Sequence, residues 1–422
     1  MAQVQDHKPR TAAAARTSYS LRLGFFYGAL FLILGVHLPY LPVWLDVRGL
    51  SAVEIAIVTA APLFLRIFIT PTIAMLADRT GSHRTLINVL AWTAVVLAVG
   101  LSQLQGFWLI LLFAMLLAIA FSTIMPLTET IAVAGVRTHG LDYGRMRLWG
   151  SITFVVAGFI GGWLIDHVGA GVVIGCIIAG VIVTAGFGWM LPECATARPD
   201  RYRENPAERP ERKAPSGYGL REAQKLVGSP IFLAFLVAVG AAQGAHGMFY
   251  TFGALSWHAQ GISTAWVGTL WAIAIAGEVA LFAYSGNVIR RWGPVTLMLA
   301  ATGAAIARWA LMSLAPPLTA LIPLQMLHTL TYGGSHLAAM HFIARAVPES
   351  AQGTAQALYA SVASGVVMGI STLASGWLYA RVGSQAYLAM AALAAVGLVG
   401  AIIVRARWSG GLLWSESEER PA

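Results

Sequence analysis

In the segment LDYGRMRLWGS, residues 141–151, an arginine stands at the head of a long run of apolar and small residues. Arg147 is one of several ionisable side chains set well inside apolar stretches, among them Glu129, Glu278, Arg308 and His328. Their types allow two kinds of chemistry. A guanidinium can hold the carboxylate or hydroxyls of a small molecule. A carboxylate or an imidazole can also take up and release a proton, which an arginine cannot do. A lone charge near the centre of a membrane-spanning helix costs roughly 2.5–3.5 kcal/mol on insertion scales, so each of these residues should have a partner.

Helical geometry says which partners are within reach. The turn between the fourth and fifth apolar runs centres near Thr138, with Glu129 and Arg147 nine residues to either side. At 1.5 Å per residue both lie about 13 Å deep, so they can pair, either as a structural bridge or as a substrate clamp. Glu278 precedes Arg290 by twelve residues, Arg308 follows Pro294 by fourteen, and His328 follows Pro317 by eleven. These counts give depths of roughly 18, 21 and 16 Å, which converge on the membrane midplane. The proton carrier is therefore sought among Glu278, Glu129 and His328. Glu278 is favoured: an arginine that swings between a substrate and this carboxyl, as Arg308 can, would switch it between holding and releasing its proton. A helix-packing hydrogen bond is the other reading of His328. Arg66 suits either an anionic substrate or a polar neighbour. With Tyr27 and Trp149 these residues make up the candidate substrate set: Glu129, Arg147, Arg308, Tyr27, Trp149 and Arg66. Tyr40, Trp44, Phe249 and Tyr250 suit a cavity wall or an ordinary aromatic belt. His336 and His341 are five residues apart with no carboxylate beside them, a spacing for packing or a pathway, not for a metal.

The elements that must position these groups follow from composition. Of 422 residues 58% are hydrophobic and only 11% charged, whereas soluble domains carry about 25% charged residues. Mean hydropathy is +0.71. Runs long enough to cross about 30 Å of hydrocarbon recur along the chain, bounded by Gly, Pro or charge. They cover 22–45, 51–76, 85–103, 107–136, 141–166, 169–191, 229–254, 263–289, 294–314, 317–345, 351–380 and 384–405. None alternates in polarity as an outer-membrane strand does. The expected fold class is an all-α integral membrane protein of twelve transmembrane helices. It divides into an N-terminal tail at 1–21, six helices at 22–191, a linker at 192–228 rich in Pro, Arg and Glu, six helices at 229–405, and a tail at 406–422. A short amphipathic helix is expected near Leu220–Val227.

Of 27 Lys and Arg, only Arg48 and Arg381 fall in loops assigned outside, and Arg66, Arg147 and Arg308 sit within spans. The positive-inside rule then puts both termini in the cytoplasm of a bacterial-type inner membrane. Residues 1–21 are polar and basic, so no cleavable signal peptide is expected. The net charge of +9 reflects this topology and contact with anionic lipid heads, not nucleic acid. Cys176 within a span and Cys194 on the inner face imply no structural disulfide.

The chain also repeats. AMLADRTG at 74–81 matches GNVIRRWG at 286–293, an offset of 212, and GGWLIDHVG at 161–169 matches SGWLYARVG at 375–383, an offset of 214. Both pairs fall after the second and fifth spans of their halves, as duplication of a six-helix unit requires. MLADRTGSHRTL, residues 75–86, resembles the loop signature G-x-L-A-D-R-x-G-R-R of the major facilitator superfamily, with Ala74 in place of the first glycine and Ser82-His83 in place of part of the basic run. LDYGRMRLWGS, GEVALFAYS at 277–285, ARW at 307–309 and LHTLTYGGSHLAAMHFI at 327–343 are similar to the branch that includes the lactose and 3-phenylpropionate permeases.

This resemblance implies two pseudo-symmetric six-helix bundles with substrate and coupling sites near the midplane. It implies a conformational-switch loop at Asp78, Arg79, Gly81 and Arg84, and substrate binding by the Glu129–Arg147 pair. It also implies coupling through Glu278, Arg308 and His328, although Thr331 stands where the branch has a carboxylate one turn after the histidine. The expected function is proton-coupled uptake of a small organic acid, an aromatic carboxylate of phenylpropionate type, by alternating access. The expected partners are the substrate, protons and the bilayer, with the chain a monomer and no cofactor beyond the proton gradient. A sugar or nucleoside symporter is the nearest alternative, followed by a metabolite or drug exporter and a non-transporting membrane sensor. No Ser-His-Asp order, metal-ligand spacing or phosphate loop points to an enzyme.

Overall fold

The computed structural model describes residues 8–193 and 219–414. Most of the 192–228 linker, Cys194 and the acidic end with Glu416, Glu418 and Glu419 lie outside the described residues. The first half comprises α1 (Lys8–Val47), α2 (Ala52–Thr80), α3 (His83–Gln103), α4 (Phe107–His139), α5 (Tyr143–Val168) and α6 (Val172–Gly188). One difference from expectation is that α1 begins inside the stretch assigned as an N-terminal tail.

The second half opens with α7 (Leu220–Gly228), the short helix expected there. It continues with α8 (Pro230–Gly244), α9 (Gly247–Ala259), α10 (Thr264–Ala283), α11 (Ser285–Met312), α12 (Leu318–Met326), α13 (Ser335–Ala346), α14 (Gln352–Ala360), α15 (Met368–Val382) and α16 (Tyr387–Arg407). Between α12 and α13 the chain winds as a π-helix, Thr329–Gly334, and between α14 and α15 as a second, Ser361–Val367. Among the described residues nine helices are long and apolar enough to cross a membrane. The twelve expected spans are recovered because α6 is slightly short, α12 and α13 form one span through a π turn, and Glu349–Arg407 holds two.

The turn between α4 and α5 is written in the sequence. Gly140 caps α4 in the left-handed region at φ 60° and donates to the Val136 carbonyl, a conformation that favours glycine. Two residues later Asp142 caps α5, its side chain accepting from the Arg145 N–H. A link this short makes α4 and α5 antiparallel neighbours. The repeats also share backbone geometry: Gly81 and Gly293 have φ of 64° and 69°, and Gly169 and Gly383 have φ of 94° and 55°.

The eighth run carries one local irregularity. The eighth run was read to 289, but α10 ends at Ala283 and Tyr284 leaves helical geometry at φ −102°, ψ 11°. Ser285 to Trp292 then belongs to the helix that kinks at Gly293. The Tyr284 N–H still donates to the Ala280 carbonyl and the Val288 N–H to the Tyr284 carbonyl, so the eighth run continues through a local irregularity to the break at Gly293, and Glu278 keeps its place twelve residues before Arg290.

The contacts separate the chain into two compact units. One holds Met1–Trp44 and Phe68–Arg209; the other holds Leu45–Ile67 and Pro210–Ala422, so the first part of α2 belongs with the second unit. In that unit Gly365 and Gly369 lie against Ile67 and Phe64 of α2. Lipid tails are as apolar as leucine, so helices there gain by close backbone approach through small residues. A Cβ on Gly400 of α16 would stand 2.7 Å from the Ala234 carbonyl oxygen and 2.9 Å from the Ala238 nitrogen, both on α8. Backbone cannot yield as a side-chain tip can. Gly400→Ala should therefore destabilise the protein by about 1–3 kcal/mol, seen as a lower melting temperature in detergent, whereas Gly303→Ala, with nothing within 4 Å, should leave it unchanged or raised.

Candidate functional site

Two clusters of polar side chains form, one in each unit. In the first, the short α4–α5 turn brings Glu129 and Arg147 together, with Arg147 Nε 3.7 Å from Glu129 Oε1. Each side chain keeps 28% of its exposure, so the pair is reachable. At 3.7 Å this approach is longer than a charge-assisted hydrogen bond. Residues of α1 complete the setting. The Arg147 guanidinium lies over the Phe31 ring at 4.0 Å and the Tyr27 ring at 5.7 Å, distances at which a cation is attracted to a ring face. Tyr27 is fully buried, and both it and Tyr143 interact with Glu129. Trp149 is not brought to this pair. Two residues on from Arg147 it faces another side of α5, half-exposed, with its indole against Gly24.

The second cluster is buried. Arg308 of α11 has no exposed surface. Its Nη1 donates to His328 Nδ1 at 2.9 Å and Thr331 Oγ1 at 3.0 Å, and its Nη2 donates to Gln325 Oε1 at 3.1 Å. Every acceptor is neutral, and its Nε–H has no hydrogen-bond partner. Since a guanidinium only donates, His328 Nδ1 must be an unprotonated acceptor, which leaves the ring proton of a neutral His328 on Nε2. That nitrogen stands 2.9 Å from Glu278 Oε1, but the N–H direction is off-line, and this carboxylate oxygen accepts no hydrogen bond. Arg308 and Glu278 are thus linked through His328 and not by direct contact.

Backbone irregularity builds this cluster. The π turn at Thr329–Gly334 carries Thr331 and follows His328 directly. Such turns open the i→i+4 ladder, and Gln243 takes up the slack by donating to the Tyr332 carbonyl at 3.1 Å and Ser335 Oγ at 2.7 Å. Rings enclose the polar groups: Tyr332 stacks on His328 at 5.4 Å, and Arg308 lies 4.4 Å from the Trp309 centroid and 5.0 Å from that of Phe249.

The remaining candidates are dispersed. Arg66 donates to the Ser364 carbonyl at 2.6 Å, a group in the second π segment. In the α2–α3 loop His83 Nε2 is 3.0 Å from Asp78 Oδ1, so the histidine that departs from the superfamily's basic run is itself the partner of Asp78. Arg84 donates to the Trp189 carbonyl at 2.6 Å, Gly81 makes the turn, and Arg79 is exposed. His336 bonds the Tyr359 hydroxyl at 3.0 Å, and no group of three or more potential metal ligands occurs among the described residues.

Gln325, Gln243 and His246 are absent from the candidates read from sequence. Each could have been flagged by the rule that polar side chains within spans mark sites. His246 in particular stands in the apolar run VGAAQGAHGMFY.

Comparison with known proteins agrees with this architecture. The chain is 31% identical over 386 residues to the probable 3-phenylpropionic acid transporter of Escherichia coli (strain K12), covering 89% of this chain and 94% of that protein. It is 27% identical over 371 residues to the maltose permease of Geobacillus stearothermophilus, covering 88% and 89%. The solved structure of the nucleoside transporter NupG superposes with a TM-score of 0.75 at 16% identity, covering 93% of this chain and 99% of that one. A bacterial homologue of the human lysosomal transporter Spinster gives a TM-score of 0.72 at 16% identity, covering 97% and 99%. The family model described as MFS_1 like matches residues 20–389. The chain belongs to this family, and is a multi-pass membrane transporter of the major facilitator superfamily.

Proposed function

We propose that this transporter imports a small organic acid, an aromatic carboxylate of phenylpropionate type, together with protons and by alternating access. The observation that carries the reading is Arg308: a fully buried guanidinium held only by neutral acceptors, with a carboxylate one imidazole away. Its charge is available to an anion, and Glu278 is available to a proton. In the first unit, Arg147 stands 3.7 Å from Glu129 and keeps 28% of its exposure, so a substrate carboxylate or hydroxyl can approach it. Phe31 and Tyr27 beside it suit a planar apolar body. The relative described as a probable 3-phenylpropionic acid transporter supports the same class.

Energetics also favour coupling. A monoanion entering a negative interior is opposed by about 2.3 kcal/mol per 100 mV; one accompanying proton removes that opposition. The reading further assigns the chain to an inner membrane with both termini cytoplasmic, as a monomer that uses the proton gradient and no cofactor. Arg66, donating to a π-segment carbonyl, is assigned to holding that turn instead of substrate. A sugar symporter is the second reading, favoured by the maltose permease relative and by the paired Glu129 and Arg147, which suit hydroxyls.

Purified protein in liposomes with an inward proton gradient should take up 3-phenylpropionate or cinnamate with acidification of the lumen; uptake of a disaccharide or nucleoside alone would replace this reading with the second. Arg147→Ala removes a charge-assisted contact worth about 1.5–3 kcal/mol, so both net uptake and exchange at limiting substrate should fall by roughly tenfold to a hundredfold. Glu278→Gln should keep exchange of internal for external substrate and lose accumulation against a gradient. Retained accumulation with unchanged pH dependence would remove Glu278 from the coupling role.

A further inference from the structure

His246 is completely buried where α8 gives way to α9. The sequence Gly244-Ala245-His246-Gly247 interrupts the span, and its glycines admit close neighbours: Val367 against Gly244, and Ser371 and Thr372 of α15 against Gly247. His246 Nδ1 lies 3.0 Å from the Ala242 carbonyl oxygen and 3.1 Å from that of Gln243. Carbonyls only accept, so Nδ1 carries the ring hydrogen. The Nε2 lone pair then faces Arg308 Nη1 at 3.4 Å and Thr331 Oγ1 at 3.2 Å.

The surroundings of this nitrogen contain no carboxylate in direct contact. Arg308 approaches from α11, and the His328 ring stands at 5.1 Å from the end of α12. Between ring centroids, Tyr332 of the π turn and Tyr250 of α9 are both at 5.6 Å from His246, and Trp309 is at 5.0 Å and perpendicular to it. Glu278 of α10 touches His328, and it also interacts with Tyr250 and Tyr332, but it makes no ion pair with His246.

A proton on Nε2 would set an imidazolium against a guanidinium in surroundings poor in water, where like charges repel far more strongly than in solution. Proton at His246 and Arg308 at His246 therefore exclude one another. A carboxylate that draws Arg308 toward itself frees the lone pair and supplies compensating negative charge. The same competition exists at His328, but its other nitrogen lies beside Glu278, so a proton arriving there is shared within that pair and counts once. His246 has only backbone carbonyls behind it.

We infer that His246 is a second proton site, separate from the His328–Glu278 pair, loaded when a substrate carboxylate takes up the charge of Arg308. The proton comes from the outer solution, forms an N–H bond at Nε2, and leaves to the inner solution when Arg308 returns to that nitrogen. Each monoanion then travels with two protons and carries one net positive charge inward. This inference rests on the reading of the chain as a proton-coupled importer of an organic acid.

The test is the accumulation of 3-phenylpropionate at zero net flux by the full chain in liposomes, with membrane potential imposed at equal internal and external pH. Two protons per acid predict a tenfold rise in accumulation for about every 59 mV, interior negative. His246→Gln should abolish this dependence and leave accumulation that follows the pH difference one for one, with exchange detectable as a check on assembly. Wild-type accumulation that ignores potential, or a His246→Gln protein that keeps the full dependence, would overturn the second site. Should His246→Gln fail to insert, His246→Asn, which retains a donor toward the carbonyls but no group at Nε2, gives the same two outcomes. Absence of 3-phenylpropionate accumulation by the wild type under either gradient would instead overturn the importer reading on which the second site depends.

Discussion

The organising constraint in this protein is the burial of permanent positive charge where neither water nor a carboxylate touches it. A guanidinium in lipid-embedded surroundings must find acceptors on other helices, and Arg308 finds them in His328, Thr331 and Gln325. All are neutral, so the hydrogen-bonding demand is met while the charge is not. Glu278, one imidazole distant, balances it without occupying it. A buried pair in direct contact would be hard to separate; a pair separated by a histidine leaves the cation able to change partners, as a transport cycle requires.

The helix interruptions serve this constraint. Continuous α-helices present fixed faces, and the four acceptors around Arg308 come from two irregular places: Gln325, His328 and Thr331 around the π turn, and His246 at the α8–α9 junction. The π turn after His328 carries Thr331 into the cluster, and the break at Ala245–His246 turns His246 toward the same point. Each interruption frees backbone carbonyls, and each is met by a side chain: Gln243 on Tyr332, His246 on Ala242 and Gln243, Arg66 on Ser364. Irregular backbone is tolerated at membrane depth only when satisfied in this way. The polar residues of these spans therefore hold the turns as well as the site.

The first unit solves the same problem differently. Glu129 and Arg147 approach to 3.7 Å and stay partly exposed. Their register follows from a compact local turn capped by Gly140 and Asp142, with aromatic faces of α1 behind. Between α2 and α3, where the superfamily pattern has a basic residue, His83 supplies a nitrogen to Asp78 at 3.0 Å.

What the sequence determined by itself is whatever depends on hydropathy and on short separations. Twelve spans, their division into two repeats and the Glu129–Arg147 pairing are all legible because each rests on run length, an internal match or symmetric spacing about one turn. The conjunction of Glu278, Arg308 and His328 was legible in outline, since helical rise gives depth. Only the tertiary structure decided rotation about each helix and the positions of the breaks. Hydropathy does not register the irregularity at Tyr284 within the eighth run. Nor does it register the π turn, which sets the register of Thr331, or the junction that brings His246 to Arg308 from 62 residues away. Depth is additive along a chain, but direction around a helix axis depends on every irregular residue before it.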